Sequence, residues 1–296
     1  MSGLRFYNRY TSRLEEEEIY GEKPLRWVYE TLLGKLSLWA LVRRPIVSAW
    51  YGWRMNKPKS CERIKPFIEQ YELDTWEFAA DVESYSSFND FFFRKLKSEA
   101  RPLCEGDTVA LPADGRHMGI AELEREAGVY VKGQRLDLRS LLGSGSLAET
   151  FAGGVCVISR LCPVDYHRFH SPVSGKIVSQ RLINGDLFSV SPIALGKRIE
   201  YLWENKRLLT VIESAEYGLV AYLAIGATMV GSIKMTKRKG ETVEKGEEMG
   251  YFEFGGSCVM TLFEAGKLEL TEDLKAKGAE QLEVYAKVGD VLGRRK

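Results

Sequence analysis

The sequence predicts an α+β protein, with an N-terminal helical segment followed by a mainly antiparallel β core of sandwich or barrel-like form. Two observations carry this expectation. Apolar residues recur at helical spacing between residues 60 and 96. From about residue 106 the chain breaks into short β-branched or aromatic runs separated by glycine turns. Many short strands of this kind indicate a sandwich or partly open barrel and not a βαβ fold. The expected division is a mainly helical region, 1–105, and a β-rich core, 106–296.

The elements follow in order. Residues 1–22 are polar, and the glutamate run at 15–18 is expected to form a solvated face. Residues 24–59 hold four of the six tryptophans (Trp27, Trp39, Trp50 and Trp53) and seven Lys/Arg against the single acid Glu30, a local charge of +6. Basic, Trp-rich short helices suit a membrane interface, where indole rings sit at headgroup level and cations attract anionic lipid. The plainer reading is a helical segment packed on the core. Ile64, Phe67, Ile68 and Tyr71 follow the i, i+3, i+4, i+7 rule of an amphipathic helix. A second helix is expected over Ser87–Leu96, capped by Ser, Asn or Asp and ended before Pro102, with its phenylalanines in the core. Strands are expected at 155–161, 219–225 and 259–263, with turns at Asn184-Gly185-Asp186 and Lys239-Gly240-Glu241. Gly143-Ser144-Gly145-Ser146 lacks a Walker lysine or a dinucleotide fingerprint and reads as a flexible loop.

Composition narrows the function. Lys+Arg total 42 and Asp+Glu 41, so no net charge argues for nucleic-acid binding. The five cysteines are scattered without a CxxC pair, which disfavours a disulfide framework or a Cys-ligated zinc. No signal peptide is recognised, and no apolar run approaches the roughly 20 residues of a membrane span.

The chemistry concentrates in three short segments. All three histidines fall in Asp114-Gly115-Arg116-His117 and Asp165-Tyr166-His167-Arg168-Phe169-His170. Histidine titrates near neutrality, and its concentration beside Asp residues in loops at strand ends points to a reacting site. The third segment is Phe254-Gly255-Gly256-Ser257-Cys258, where two glycines allow a sharp bend that would expose the Ser257 hydroxyl. Together, Asp, His and Ser permit a charge-relay arrangement.

At these residues the chain resembles the phosphatidylserine decarboxylase family of pyruvoyl enzymes. The resemblance rests on Asp165–His170 followed by Gly175, paired with Phe254-Gly255-Gly256-Ser257. Supporting matches are Phe88-Asn89-Asp90-Phe91-Phe92, Ala100-Arg101-Pro102, Val131-Lys132-Gly133, Ser191–Leu195, Gly226-Ala227, Val230–Ile233 and Lys245–Phe252. Where the family usually carries Thr or Ser after the cleavage serine, this chain has Cys258.

The resemblance implies a proenzyme in which Asp114, His170 and Ser257 form a relay that cleaves the Gly256–Ser257 bond. Ser257 would become a covalent pyruvoyl cofactor, acting through a Schiff base, and His167 would protonate the carbanion left by CO2. Asp165 could orient either histidine, and His117 has no assigned role. Phosphatidylserine would be converted to phosphatidylethanolamine. The products 1–256 and 257–296 would remain associated, and a homo-oligomer is compatible with the sequence. The same resemblance favours Trp27, Trp39, Trp50 and Trp53 as membrane contacts, with the protein peripheral on the cytoplasmic side of the cell membrane. No metal and no nucleic acid is implied. Rival readings are a metal-dependent hydrolase with Asp114, His117, His167 and His170 as ligands, a non-enzymatic membrane-binding module, and a pyruvoyl decarboxylase of small amino acids.

Overall fold

A computed structural model describes residues 4–19, 21–38, 45–123, 129–131, 134–227, 233–255 and 257–296. Its centre is a ten-stranded sheet ordered Thr242–Val243, Gly175–Ile183, Arg207–Ser214, Gly218–Ile225, Ser257–Phe263, Val155–Leu161, Gly115–Ile120, Val284–Ala286, Arg5–Asn8, Arg13–Glu16. Every neighbouring pair is antiparallel except Arg5–Asn8 with Val284–Ala286, which is parallel. The α+β expectation holds. The sheets are open, with no closed barrel among the described residues.

The two middle strands, Val155–Leu161 and Ser257–Phe263, are buried along their whole length. Strands covered on both faces read as continuous apolar runs, as these do in the sequence. Their side chains alternate between two cores. Cys258, Met260 and Leu262 enter one, with Leu223, Ile158 and, from the N-terminal helices, Tyr29 and Leu38. Val259 and Phe263 enter the other, with Tyr222, Phe169 and Phe252. Phe169 and Phe252 belong to a three-stranded sheet of Ile233–Met235, Glu248–Phe252 and Arg168–His170, which lies over this second face.

The helices Pro45–Met55, Ile64–Gln70 and Phe88–Phe92 build a third cluster with Phe67, Phe78, Phe88, Phe91 and Phe92 around Phe254. Ser87 caps the last of these helices by accepting from the Asp90 amide, but the helix ends at Phe92, short of the expected Leu96. The residues that follow leave the helix because Leu96 forms a bridge with Phe78 and Lys97 N–H donates to the Glu77 carbonyl.

Two other expectations need correction. Residues 4–19 include a hairpin that extends the large sheet; Glu16 and Glu18 are exposed as expected, but the Glu17 side chain is buried against Arg160 at 2.6 Å. The Gly143–Ser146 stretch joins two short helices: Gly143 ends one at φ 58°, and Ser144 caps the next.

Candidate active site

Ser257 opens the central strand and pairs with Leu161 across it. Before it Gly255 holds φ 136°, a conformation disfavoured for side chains with a Cβ. Gly256 lies outside the described residues. The Ser257 hydroxyl is not exposed, contrary to the sequence expectation, because the sheet is covered on both faces here. Its Oγ is buried and has no hydrogen-bond partner among the described residues. Leaving a buried hydroxyl unpaired costs about 1–3 kcal/mol.

The two histidines of the Asp165–His170 segment share a device. His167 Nδ1 lies 2.9 Å from the Asp165 carbonyl oxygen, and His170 Nδ1 lies 2.9 Å from that of Gly246. A carbonyl only accepts, so each Nδ1 carries the proton and each Nε2 keeps its lone pair. Both Nε2 atoms are buried, with no hydrogen-bond partner among the described residues. Burial pushes the His167 pKa down to about 3, against smaller upward pulls from the carbonyls of Asp165 and Gly255; Arg94 lowers it further. Burial likewise lowers His170, with Glu248 and Asp114 opposing. Both rings are therefore neutral bases near neutral pH.

The hydrogen bond that a relay would have His170 donate to Asp114 is not made. Both Asp114 oxygens are held by Arg101, with contacts of 2.6 to 3.0 Å, and Oδ1 also accepts from the Val288 amide at 2.8 Å. A guanidinium fork binds a carboxylate more strongly than an imidazole N–H can. Asp114 acts on His170 through its charge, and the turn carrying it is tied to His170 by the His170 N–H to Pro112 carbonyl bond at 2.8 Å. Gly115 follows with φ 152°, where a Cβ would stand 2.3 Å from the Arg160 carbonyl oxygen.

Asp165 orients His167, but through its main-chain carbonyl. Its carboxylate accepts from Arg116 Nη1 at 2.9 and 3.1 Å and from the Cys162 amide at 2.7 Å. His117 sits apart and fully satisfied, with Nδ1 2.9 Å from Ser159 Oγ and Nε2 3.2 Å from the Ala286 carbonyl oxygen. With His117 engaged there, the four-ligand rival loses its set: no group of three His, Cys, Asp or Glu among the described residues is arranged to hold a metal. Cys258 points into the apolar core, where burial raises its thiol pKa and keeps it un-ionised.

Three residues escaped sequence reasoning as site components. Asn89 is fully buried; its Oδ1 accepts from the Phe254 amide at 2.8 Å and its Nδ2 donates to Asn56 Oδ1 at 2.8 Å. Phe92 packs on the His167 ring with centroids 3.9 Å apart. Arg116 braces Asp165. An Asn amid a phenylalanine cluster was the one available signal, since a buried amide demands partners. Two cavities adjoin the site: one of about 400 Å³ reaches Arg94, Asp114, Asp165 and Tyr166, and one of about 210 Å³ reaches His170, Tyr166 and Gly246.

Of the expected membrane contacts, Trp27, Trp50 and Trp53 are exposed, and Trp39 lies outside the described residues. Lys57 stands over the Trp53 ring at 3.5 Å and Arg54 over Trp50 at 5.0 Å. Among the described residues no helix is long and apolar enough to cross a membrane.

The sequence profile of the phosphatidylserine decarboxylase family matches residues 88–294, which include every proposed reacting residue. The phosphatidylserine decarboxylase proenzyme of Fusobacterium nucleatum is 38% identical over 294 residues, covering 99% of this chain and 98% of that one. Those of Chlamydia trachomatis serovar L2 and Chlamydia muridarum are 39% and 41% identical, covering 99% and 98% of this chain and 97% of each relative. The protein is thus an enzyme of the carboxy-lyase class, a decarboxylase. It belongs to the phosphatidylserine decarboxylase family.

Proposed function

We propose that this chain is a self-cleaving proenzyme that decarboxylates phosphatidylserine to phosphatidylethanolamine. The observation that carries the reading is a trio of buried atoms without a hydrogen-bond partner among the described residues: Ser257 Oγ, His167 Nε2 and His170 Nε2. His170 Nε2 takes the Ser257 proton, with the imidazolium stabilised by the charge of Asp114. Ser257 Oγ attacks the Gly256 carbonyl carbon, the peptide C–N bond breaks, and the nitrogen receives the proton, leaving an ester. Loss of the Ser257 Cα proton and rupture of the Cβ–O bond then free the Gly256 carboxylate. Residue 257 becomes dehydroalanine, which with one water yields ammonia and a pyruvoyl group.

The buried hydroxyl at the head of the strand and the two neutral imidazoles of the Asp165–His170 segment support that group. Its ketone supplies the electron sink for decarboxylating an amino acid headgroup. His167 Nε2, a free lone pair in the uncut chain, takes a proton from the substrate's ammonium group and returns it to carbon after CO2 departs. The products 1–256 and 257–296 stay together because 257–263 is an inner strand with a paired neighbour on either side. Trp27, Trp39, Trp50 and Trp53 seat the protein peripherally on the cytoplasmic face of the cell membrane.

Intact-mass measurement of the purified protein tests this. The reading requires two chains divided at 256/257, with residue 257 lighter than serine and reactive toward carbonyl reagents. An uncut chain in a preparation that decarboxylates phosphatidylserine overturns it.

A further inference from the structure

A cleft of about 740 Å³ lies away from the reacting residues, lined by Tyr29, Glu30, Lys35, Leu38, Phe188, Lys197, Arg198 and Tyr201. It joins the first helices to a segment some 160 residues later, a link made by the Ser189 amide donating to the Tyr29 hydroxyl at 2.8 Å. None of Ser257, His167 or His170 lines it. Its one acid, Glu30, is already bound to Arg26 at 3.2 Å. Arg198 is held by Glu204 at 2.8 Å and faces the Tyr201 ring. Lys35 and Lys197 have no carboxylate partner among the described residues, so the cleft carries surplus positive charge between aromatic walls.

Lys35 shares its helix, Leu32–Ser37, with Leu32, Leu33 and Leu36, which are 82%, 70% and 64% exposed. Three exposed leucines around a lysine are costly in water and favourable where aliphatic chains meet phosphates. We propose that this cleft binds the phosphodiester of an anionic phospholipid, with Lys35 and Lys197 as its cation pair, while Leu32, Leu33 and Leu36 enter the acyl layer. The site rests on the membrane reading above and adds to it a specific headgroup pocket that needs no amine and is therefore separate from turnover.

Phosphatidylglycerol, which has no amine, is the probe. The full chain is titrated with short-chain phosphatidylglycerol below its micelle concentration and with phosphatidylcholine vesicles containing or lacking phosphatidylglycerol. Saturable binding is expected. The Lys35→Gln/Lys197→Gln double variant should weaken it about 30-fold, roughly fivefold per lysine, and arginine at both positions should restore it. Both lysines are exposed, so the variants should fold. Equal binding by the double variant and the parent overturns the pocket while leaving vesicle binding intact. So does an equal loss from the control pair Lys267→Gln/Lys275→Gln, which would mean diffuse attraction. Inorganic phosphate competing as well as the lipid overturns the lipid assignment. Failure of the parent to bind vesicles at all defeats the membrane reading itself, and the self-cleavage gel is unaffected by any of these outcomes.

Discussion

His167 donates its Nδ1–H to the Asp165 carbonyl oxygen 2.9 Å away, which commits the ring to the tautomer with a bare Nε2. His170 does the same with Gly246. Main-chain carbonyls here perform the tautomer-fixing task that a carboxylate performs in a Ser-His-Asp triad. The two bases can therefore be separated by mutation. Ser257→Ala should leave a single uncut chain. His170→Ala should slow cleavage by about 100-fold or more, whereas His167→Ala should still cleave but lose decarboxylation. A time course on denaturing gels, paired with CO2 release, checks all three; equal cleavage defects in both histidine variants would defeat the division of labour.

Arg116 bears on His167 without touching it. Replacing it by Met leaves the Asp165 carboxylate buried with only the Cys162 amide, and breaking such a buried pair costs about 3–5 kcal/mol. Arg116→Met should therefore unfold at lower denaturant. In whatever fraction remains folded, kcat should fall more than KM rises. A fall in stability with unchanged kcat would confine Arg116 to a structural role.

Asn89 holds Phe254, three residues before Ser257, by one hydrogen bond in an otherwise apolar cluster. Asn89→Ala should cost about 1–3 kcal/mol, since the buried Phe254 amide loses the Asn89 acceptor. It should also slow self-cleavage, because the segment entering the scissile bond loses its anchor. Normal cleavage kinetics alongside the loss of stability would show that the anchor does not serve the reaction.

Burial holds the pKa values of His117 and His167 down to about 3 and lowers that of His170. In the unfolded chain each titrates near 6.5. Between those values the unfolded state binds more protons, so stability is full above about pH 6.5 and is lost as pH falls toward 3. Each histidine contributes a slope of up to about 1.4 kcal/mol per pH unit in that window. Denaturant unfolding at several pH values from 7 to 5 should show the loss. His117→Gln, remote from the reacting atoms, should remove about one proton's worth of the slope; an unaltered slope would mean that His117 is not protected in the fold.

Features that depend on local pattern were legible in the sequence. The continuous apolar runs at 155–161 and 259–263 became inner strands because both faces of the sheet are covered. The histidine-rich segment and the Gly-Gly-Ser stretch marked the candidate reacting residues because the proposed chemistry demands those side chains. Contacts between residues far apart in the chain came from the fold alone. Sheet register buried Ser257 where a glycine bend suggested exposure, and Arg101 took the Asp114 carboxylate that His170 was expected to share. The carbonyls of Asp165 and Gly246 have no signature in sequence, since every residue carries one and the fold alone chooses which faces an imidazole. The same limit hid Asn89 and the cleft that Lys35 and Lys197 both line, for periodicity encodes which face of an element is buried and not which element will cover it.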